Sequence, residues 1–395
     1  MNKSLTVAGQ QTAEQGFCTR PKLLLAACCL LLGGVSCTSH YVRGTPLDQP
    51  CGMLTPEQLA VIRDNIAREP WHGAYLALLE NADQALERDP HPVEVFKVPS
   101  YYAHPRDHMQ AKEPLSSDAQ AAHTLALAWH LADAHQDAYA AKAASILDAW
   151  ASTNTSVRGK ESALVFCYAG TPLVLAADLL ADNAAWRDGP RERFLEWTEN
   201  VFLPAAQSIS CRRNNWGAWS LFAISAGTSL LQAPGGIDEC AAKLRRRIET
   251  HIDHNAELPH ENRRTNSGMR YTAFALLAMT ASAQIIRNNG GDDLFQHVDA
   301  DGIGIEAALE KHFDYCLDPD SWPYRPATGV IGWLQRILYP RADSLLIPSP
   351  TADSGSLFEA MSAEYRNQAW ENWTASARPI HGGRGWLQPT LTRQR

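Results

Sequence analysis

Positive charge is what this chain of 395 residues lacks: 35 Lys and Arg face 43 Asp and Glu, for a formal charge of −8 and a pI near 6.0. Phosphate affinity is carried by clustered, excess Lys and Arg, so general nucleic-acid binding is excluded and any polyanion must meet a local basic patch. Runs alternating with period two are missing, which argues against half-buried strands. No strict internal period appears, which argues against a simple TPR-like array. Neither CxxC pairs nor Cys/His ligand spacings occur, so no metal is expected, and no cofactor either.

What is present begins with a leader-like segment. Arg20 and Lys22 flank "LLLAACCLLLGGVSC", a short apolar run ending in small residues, the pattern of an export signal over residues 1–37. The run is too short to span a bilayer, so a lipid on Cys37 or Cys28 is the one membrane tether it allows. A periplasmic or secreted location is expected. Beyond the leader, Cys51, Cys167, Cys211, Cys240 and Cys316 are an odd set, read as buried thiols with at most one bridge.

Residues 38–54, rich in Pro, Gly, Thr and Ser, read as a linker. Thr55 then caps "TPEQLAVIRDNIARE", with Pro56 at the first helical position, and opens a domain expected to run over 55–395. To about residue 315 the pattern is repeatedly amphipathic, as in "SSDAQAAHTLALAWHLADAH" and "YTAFALLAMTASAQIIRN". Ala-rich helices joined by short Gly, Pro and Asp punctuation pack as antiparallel hairpins. The expected fold is all-α, with successive hairpins stacked in a ring or solenoid.

Two breaks interrupt this pattern. "FKVPSYYAHPRDHMQAKEPL", residues 96–115, reads as a long polar and aromatic loop, and such loops inside compact domains are usually functional. "ELPHENRRTNSGMRY", residues 257–271, gathers Arg263, Arg264 and Arg270 just before Tyr271. A third feature, "CRRNNWGAWS" at residues 211–220, opens a helix with two asparagines and two tryptophans. One asparagine suffices as an N-cap, leaving the second amide for a ligand at a helix end that favours anions. A capped helix over packed tryptophans is the competing reading.

"NNWGAW" followed about fifty residues later by "LPHENRRTNSGMRYTAFAL" resembles the alginate lyase superfamily, polysaccharide lyase family 5 and its relatives. That family carries an Asn-Asn-x-x-x-Trp motif and then a Pro-x-Glu-x-x-Arg segment leading to a Tyr. Asn214, Asn215 and Trp219 match the first; Pro259, Glu261, Arg264 and, seven positions on, Tyr271 match the second. "VPSYY" and the helix pair after it are similar to the family's lid loop and first hairpin. The resemblance implies an incomplete (α/α) toroid and a lyase for an acidic polysaccharide. It also implies Asn215, Arg264 and Tyr271 as catalytic residues. One position departs: typical members have a histidine after the catalytic asparagine, and this chain has Trp216, an "NNWG" form similar to that of related poly(mannuronate) lyases.

The chemistry implied is β-elimination at a uronic acid. The C5 proton is weakly acidic until the adjacent carboxylate is neutralised, a task suited to the planar fork of Arg264 and the amide of Asn215. A tyrosine near cations is suited to take the C5 proton and return one to the departing O4. With Trp216 in the histidine's place, syn elimination on D-mannuronate or D-glucuronate is expected to dominate. Asn214, Trp216, Arg263, His260, Tyr101, Tyr102, His104 and Arg270 are the expected substrate-binding set. His108 and Arg106 lie in the same loop, His123 reads as core, and "RRR" at 245–247 reads as a solvated helix face. Trp322, Tyr324 and Trp333 are read as either sugar platforms or core. A glucuronyl hydrolase needs a carboxylic acid in the cleft, and only Glu257 and Glu261 occur in the motif loops. A non-catalytic exopolysaccharide-binding protein is the other alternative.

Overall fold

Thr55 opens the helical body as its sequence grammar predicts. In the computed structural model the Thr55 hydroxyl accepts from the Gln58 amide at 3.4 Å while the Gln58 side chain accepts from the Thr55 amide at 3.0 Å, with Pro56 next. This reciprocal pair satisfies two donors that a helix start otherwise leaves unmade. The structure describes residues 41–45, 48–184, 186–325 and 348–394. The leader segment 1–37 with Cys28 and Cys37, part of the 38–54 segment, and Trp333 lie outside the described residues.

The helices are α1 (Pro56–Asn65), α2 (Trp71–Leu86), α3 (Pro105–Leu131), α4 (Gln136–Thr153) and α5 (Lys160–Leu179). There follow α6 (Asp188–Trp197), α7 (Leu203–Gln207), α8 (Asn215–Leu230), α9 (Gly236–His251) and the short α10 (Pro259–Asn262). The remaining ones are α11 (Gly268–Asn288), α12 (Ile305–Leu317), α13 (Asp353–Glu364), α14 (Gln368–Ala375) and α15 (Pro389–Thr392). Helices α3, α5, α8, α11 and α13 pack side by side in succession, and α15 links α13 back to α2, which lies on α3. A second layer, α4, α9, α12 and α14, packs against them, and α6 packs on α4. The result is an incomplete α/α toroid. Helices α5 and α8 are apolar on nearly every side because they are covered on nearly every side. Helix α5 has a mean hydropathy of 1.5 over its most apolar window, and that window is wholly buried.

The only strands among the described residues are β1 (Val95–Phe96) and β2 (Ser156–Val157), which pair in parallel. They anchor the base of the first break. That break is shorter than the sequence suggests, because α3 starts at Pro105 and runs through Pro114. Proline at the first helical position has no needed N–H to lose. The helix was hidden because its early buried stripe is His108, Lys112 and Leu115, at helical spacing but mostly polar.

The described part of 38–54 is irregular yet packed. The amides of Cys51 and Gly52 donate to buried Asp178 at 3.1 and 2.9 Å, and Gly44 donates to the Leu231 carbonyl at 3.0 Å. All five cysteines beyond the leader are free thiols; Cys211 is exposed and the other four are buried. His123 is core, as expected.

Candidate active site

The second break is built around two buried glutamates. Glu257 accepts from the Tyr315 hydroxyl at 2.5 Å, from Asn262 Nδ2 at 3.2 Å and from the Tyr324 hydroxyl. Trp322, also buried, donates its indole N–H to the Thr265 carbonyl at 3.1 Å. Trp322 and Tyr324 therefore pack beneath the loop and hold its course. Thr265 sits at φ 56°, a left-handed conformation uncommon for a β-branched residue, immediately after Arg264. Gly268 starts α11 where any side chain would meet Trp322 at 2.8 Å and the Glu261 carbonyl at 3.0 Å.

Glu261 reaches across to the start of α8. Its carboxylate accepts the Asn215 backbone N–H at 2.5 Å and the Asn215 side-chain Nδ2–H at 2.7 Å. Asn214 occupies the N-cap position, with extended backbone, but its side chain makes no cap bond. A carboxylate from another helix thus performs the capping, aided by the positive end of the α8 dipole. Burial pushes the Glu261 carboxyl up, with Arg264 and the two Asn215 donors acting against that rise. Asn215 is fully buried, and its Oδ1 has no hydrogen-bond partner.

The preceding turn is clamped from α9. Arg247 donates to the carbonyls of Arg212, Arg213 and Asn214 at 2.9, 3.1 and 3.4 Å, and it is 8 % exposed. The reading of "RRR" as a solvated face therefore holds for Arg246 and fails for Arg247, which the turn's carbonyls draw inward. Gly217 permits this clamp, since a Cβ there would lie 1.9 Å from the Arg212 carbonyl oxygen and 2.3 Å from Arg247.

The first break supplies the opposite wall. Val98 N–H donates to Ser162 Oγ at 2.9 Å, and His108 Nδ1 meets the Pro99 carbonyl at 2.9 Å, so the start of this segment is pinned. Beyond those pins, the Tyr102 hydroxyl lies 2.5 Å from the Tyr271 hydroxyl. The Arg264 guanidinium sits over the Tyr271 ring, 4.1 Å from its centroid.

These walls enclose a cavity of about 250 Å³ lined by Tyr101, Tyr102, His108, Lys112, Glu161, Tyr168, Trp216, Arg264, Arg270, Tyr271, Phe274 and Arg384, among others. Four cations and one carboxylate line it, the reverse of the protein's overall balance. Arg384 lies over Tyr168 at 5.1 Å and pairs with Asp353 at 2.9 Å. Burial, then the nearby Arg384, pulls the Lys112 ammonium down; burial pushes the Tyr168 hydroxyl up to about 12. The Tyr102 hydroxyl is pushed up by burial and by Tyr271, with Arg264 acting against them.

Of the residues expected from sequence, the structure brings Tyr101, Tyr102, Trp216, Arg264, Arg270 and Tyr271 to this cavity. Asn215 lies behind it, joined through Glu261, and Asn214 caps the same helix. His260, Arg263 and His104 do not line it. His260 faces His251 with ring centroids 5.5 Å apart, Arg263 is exposed, and His104 is exposed beside Asp107 at 3.9 Å. Lys112, Glu161, Tyr168 and Arg384 were missed. The one signal for Arg384 was a lone cation among glycines in "HGGRGW".

A sequence model described as alginate lyase matches residues 70–322. Among solved structures, an alginate lyase from Bacteroides ovatus is 18% identical, with 89% of this chain and 98% of that chain covered and a TM-score of 0.63. A tyrosine-to-phenylalanine variant of alginate lyase A1-III complexed with tetrasaccharide is 16% identical, with 89% and 99% covered and a TM-score of 0.69. Alginate lyase A1-III from Sphingomonas species A1 is 16% identical, with 87% and 99% covered and a TM-score of 0.62. These likenesses establish the fold. A search of curated protein sequences finds no match.

Proposed function

Since the chain belongs to the alginate lyase family and is a polysaccharide lyase, we propose that it cleaves alginate, polymannuronate before glucuronan, by β-elimination in the cavity between Tyr102 and Tyr271. The observation that carries this reading is the stacking of Arg264 on Tyr271, whose hydroxyl meets that of Tyr102. A base and a fixed cation stand side by side in a pocket of positive charge.

In this reading Arg264 neutralises the substrate carboxylate, so that charge developing at C5 delocalises into it, while Asn215, buried behind the cavity wall, holds the start of α8 through Glu261. Tyr271 takes the C5 proton through its oxygen. The electron pair forms the C4=C5 double bond, the C4–O4 bond breaks, and Tyr271 returns a proton to O4. Burial keeps Tyr102 protonated, so its hydroxyl donates to the Tyr271 oxygen and leaves Tyr271 as the acceptor of the substrate proton. Glu261 acts on Asn215: by holding its backbone N–H and its amide it fixes the start of α8, which carries Trp216 to the cavity wall. It is a positioning residue.

Trp216, a half-buried wall of the cavity, takes the chain position of the family histidine that could act as a second base on L-guluronate. This supports syn elimination on D-mannuronate. Among the described residues Glu161 is the single carboxylate on the cavity, and a hydrolase of this type generally works with two. The cationic and then apolar segment ending at Cys37 supports export to the periplasm or beyond, free or lipid-anchored.

The test is ultraviolet absorbance of the new C4=C5 bond on polymannuronate, polyguluronate and glucuronan. Fastest turnover on polymannuronate is expected. Faster turnover on polyguluronate than on the other two contradicts syn elimination and directs attention to His108, whose ring lines the cavity.

A further inference from the structure

We propose that Arg212, Arg213, Arg246, Arg263 and His260 form a second binding surface beside the cavity, holding the uncleaved part of an anionic uronate chain; the proposal rests on the lyase reading above. The surface is continuous with the cavity wall. The Arg212 guanidinium lies 5.7 Å from the centroid of the Trp216 ring, and Trp216 lines the cavity. Arg263 is the chain neighbour of Arg264, which also lines it.

Among the described residues these four arginines make no ion pair, whereas Arg245 on the same helix as Arg246 pairs with Asp292, and Arg384 pairs with Asp353. Glu261, the carboxylate closest to this group in the chain, is buried and occupied by Asn215. The local field is strongly positive. Burial, then Arg247, His260, Arg213 and Arg246, holds the His251 imidazole down to about 3; burial, then Arg263, Arg213 and Arg247, lowers His260. In a chain of net charge −8, an uncompensated cluster of this kind repels itself unless an anion arrives.

The form of the cluster selects the anion. Its charges are spread over the turn before α8, the helix α9 and the α10 segment, which suits carboxylates repeated along a polymer better than one small ion. None of the exposed large apolar side chains, such as Val61, Leu76, Met109 or Val298, belongs to it. A membrane-binding surface ordinarily carries such residues next to its cations.

The experiment compares the full chain with its Arg213→Gln/Arg246→Gln variant, both sites exposed, on long polymannuronate and on a mannuronate trimer. Loss of two screened charge contacts is expected to raise KM for the polymer roughly three- to tenfold, leaving kcat and the trimer KM unchanged. Added salt should shrink the difference. Equal KM changes on polymer and trimer, or none, overturn the proposal. So does loss of binding to phosphatidylglycerol vesicles with polymer kinetics intact, which makes the surface a membrane contact. Electrophoretic retardation in a gel containing polymannuronate reads binding without turnover. If the wild type yields no unsaturated ends yet is retarded through these arginines, the lyase reading fails while the surface stands.

Discussion

The hydroxyls of Tyr102 and Tyr271 lie 2.5 Å apart, one from the loop after β1 and the other from the first turn of α11. The pair joins two segments that are about 170 residues apart in sequence. In the proposed reaction the Tyr102 hydroxyl is the donor of this pair and the Tyr271 oxygen its acceptor.

Tyr102→Phe removes that donor while keeping the ring in the loop. Since hydrogen bonds to charged groups are worth about 1.5–3 kcal/mol, kcat on polymannuronate should fall roughly ten- to a hundredfold. KM should change much less. Steady-state kinetics with both parameters resolved checks this.

Glu261→Gln tests positioning. A glutamine retains one acceptor for the Asn215 N–H but sets an NH₂ against Asn215 Nδ2, so the Asn215 amide must turn. The expected result is a fall in kcat of roughly tenfold to a hundredfold, on the order of a lost charge-assisted bond. KM and the thermal midpoint should move little. A large loss of stability with unchanged kcat in the folded fraction would make Glu261 a cap alone.

Arg247→Met should destabilise the protein by about 2–4 kcal/mol, because it leaves the carbonyls of Arg212, Arg213 and Asn214 without their shared donor. Urea denaturation measures it. The neighbouring Arg246→Met, exposed and unpaired among the described residues, should change stability by less than about 0.5 kcal/mol.

Acid stability should respond to His312, which is buried with neither ring nitrogen bonded and stacks on Phe358 at 6.0 Å. Burial brings its imidazole down from 6.5 to about 4. The unfolded chain therefore takes up this proton at a higher pH than the folded one. The imidazole has no effect on stability above about pH 6.5, and stability falls as pH drops from there to about 4, by roughly 3 kcal/mol from this group. His312→Phe should flatten that limb in urea midpoints measured across the window. His123, also brought down to about 4 by burial, contributes a similar slope that remains in the variant.

The fold was legible because helix caps and apolar periodicity are local: Thr55 and Pro56 announce α1 by themselves. The α10–α11 break was legible as a candidate site because three arginines and a tyrosine crowd fifteen positions. Helix α3 was not legible at its start, since a stripe made of His108 and Lys112 carries no apolar period. Arg384 and Tyr168 reach the cavity only through packing of distant elements, which no local pattern encodes. Arg247 looked like one of three equivalent cations until the carbonyls of the Asn214 turn singled it out.

The most direct test of the proposed chemistry is the Tyr271→Phe variant on polymannuronate, with C4=C5 absorbance and polymer binding measured on the same preparation. If Tyr271 moves the proton, kcat falls by about a thousandfold or more while binding stays within a few-fold of wild type. If turnover survives, or if binding is lost in proportion to turnover, Tyr271 is not the proton-transfer residue and the account is wrong.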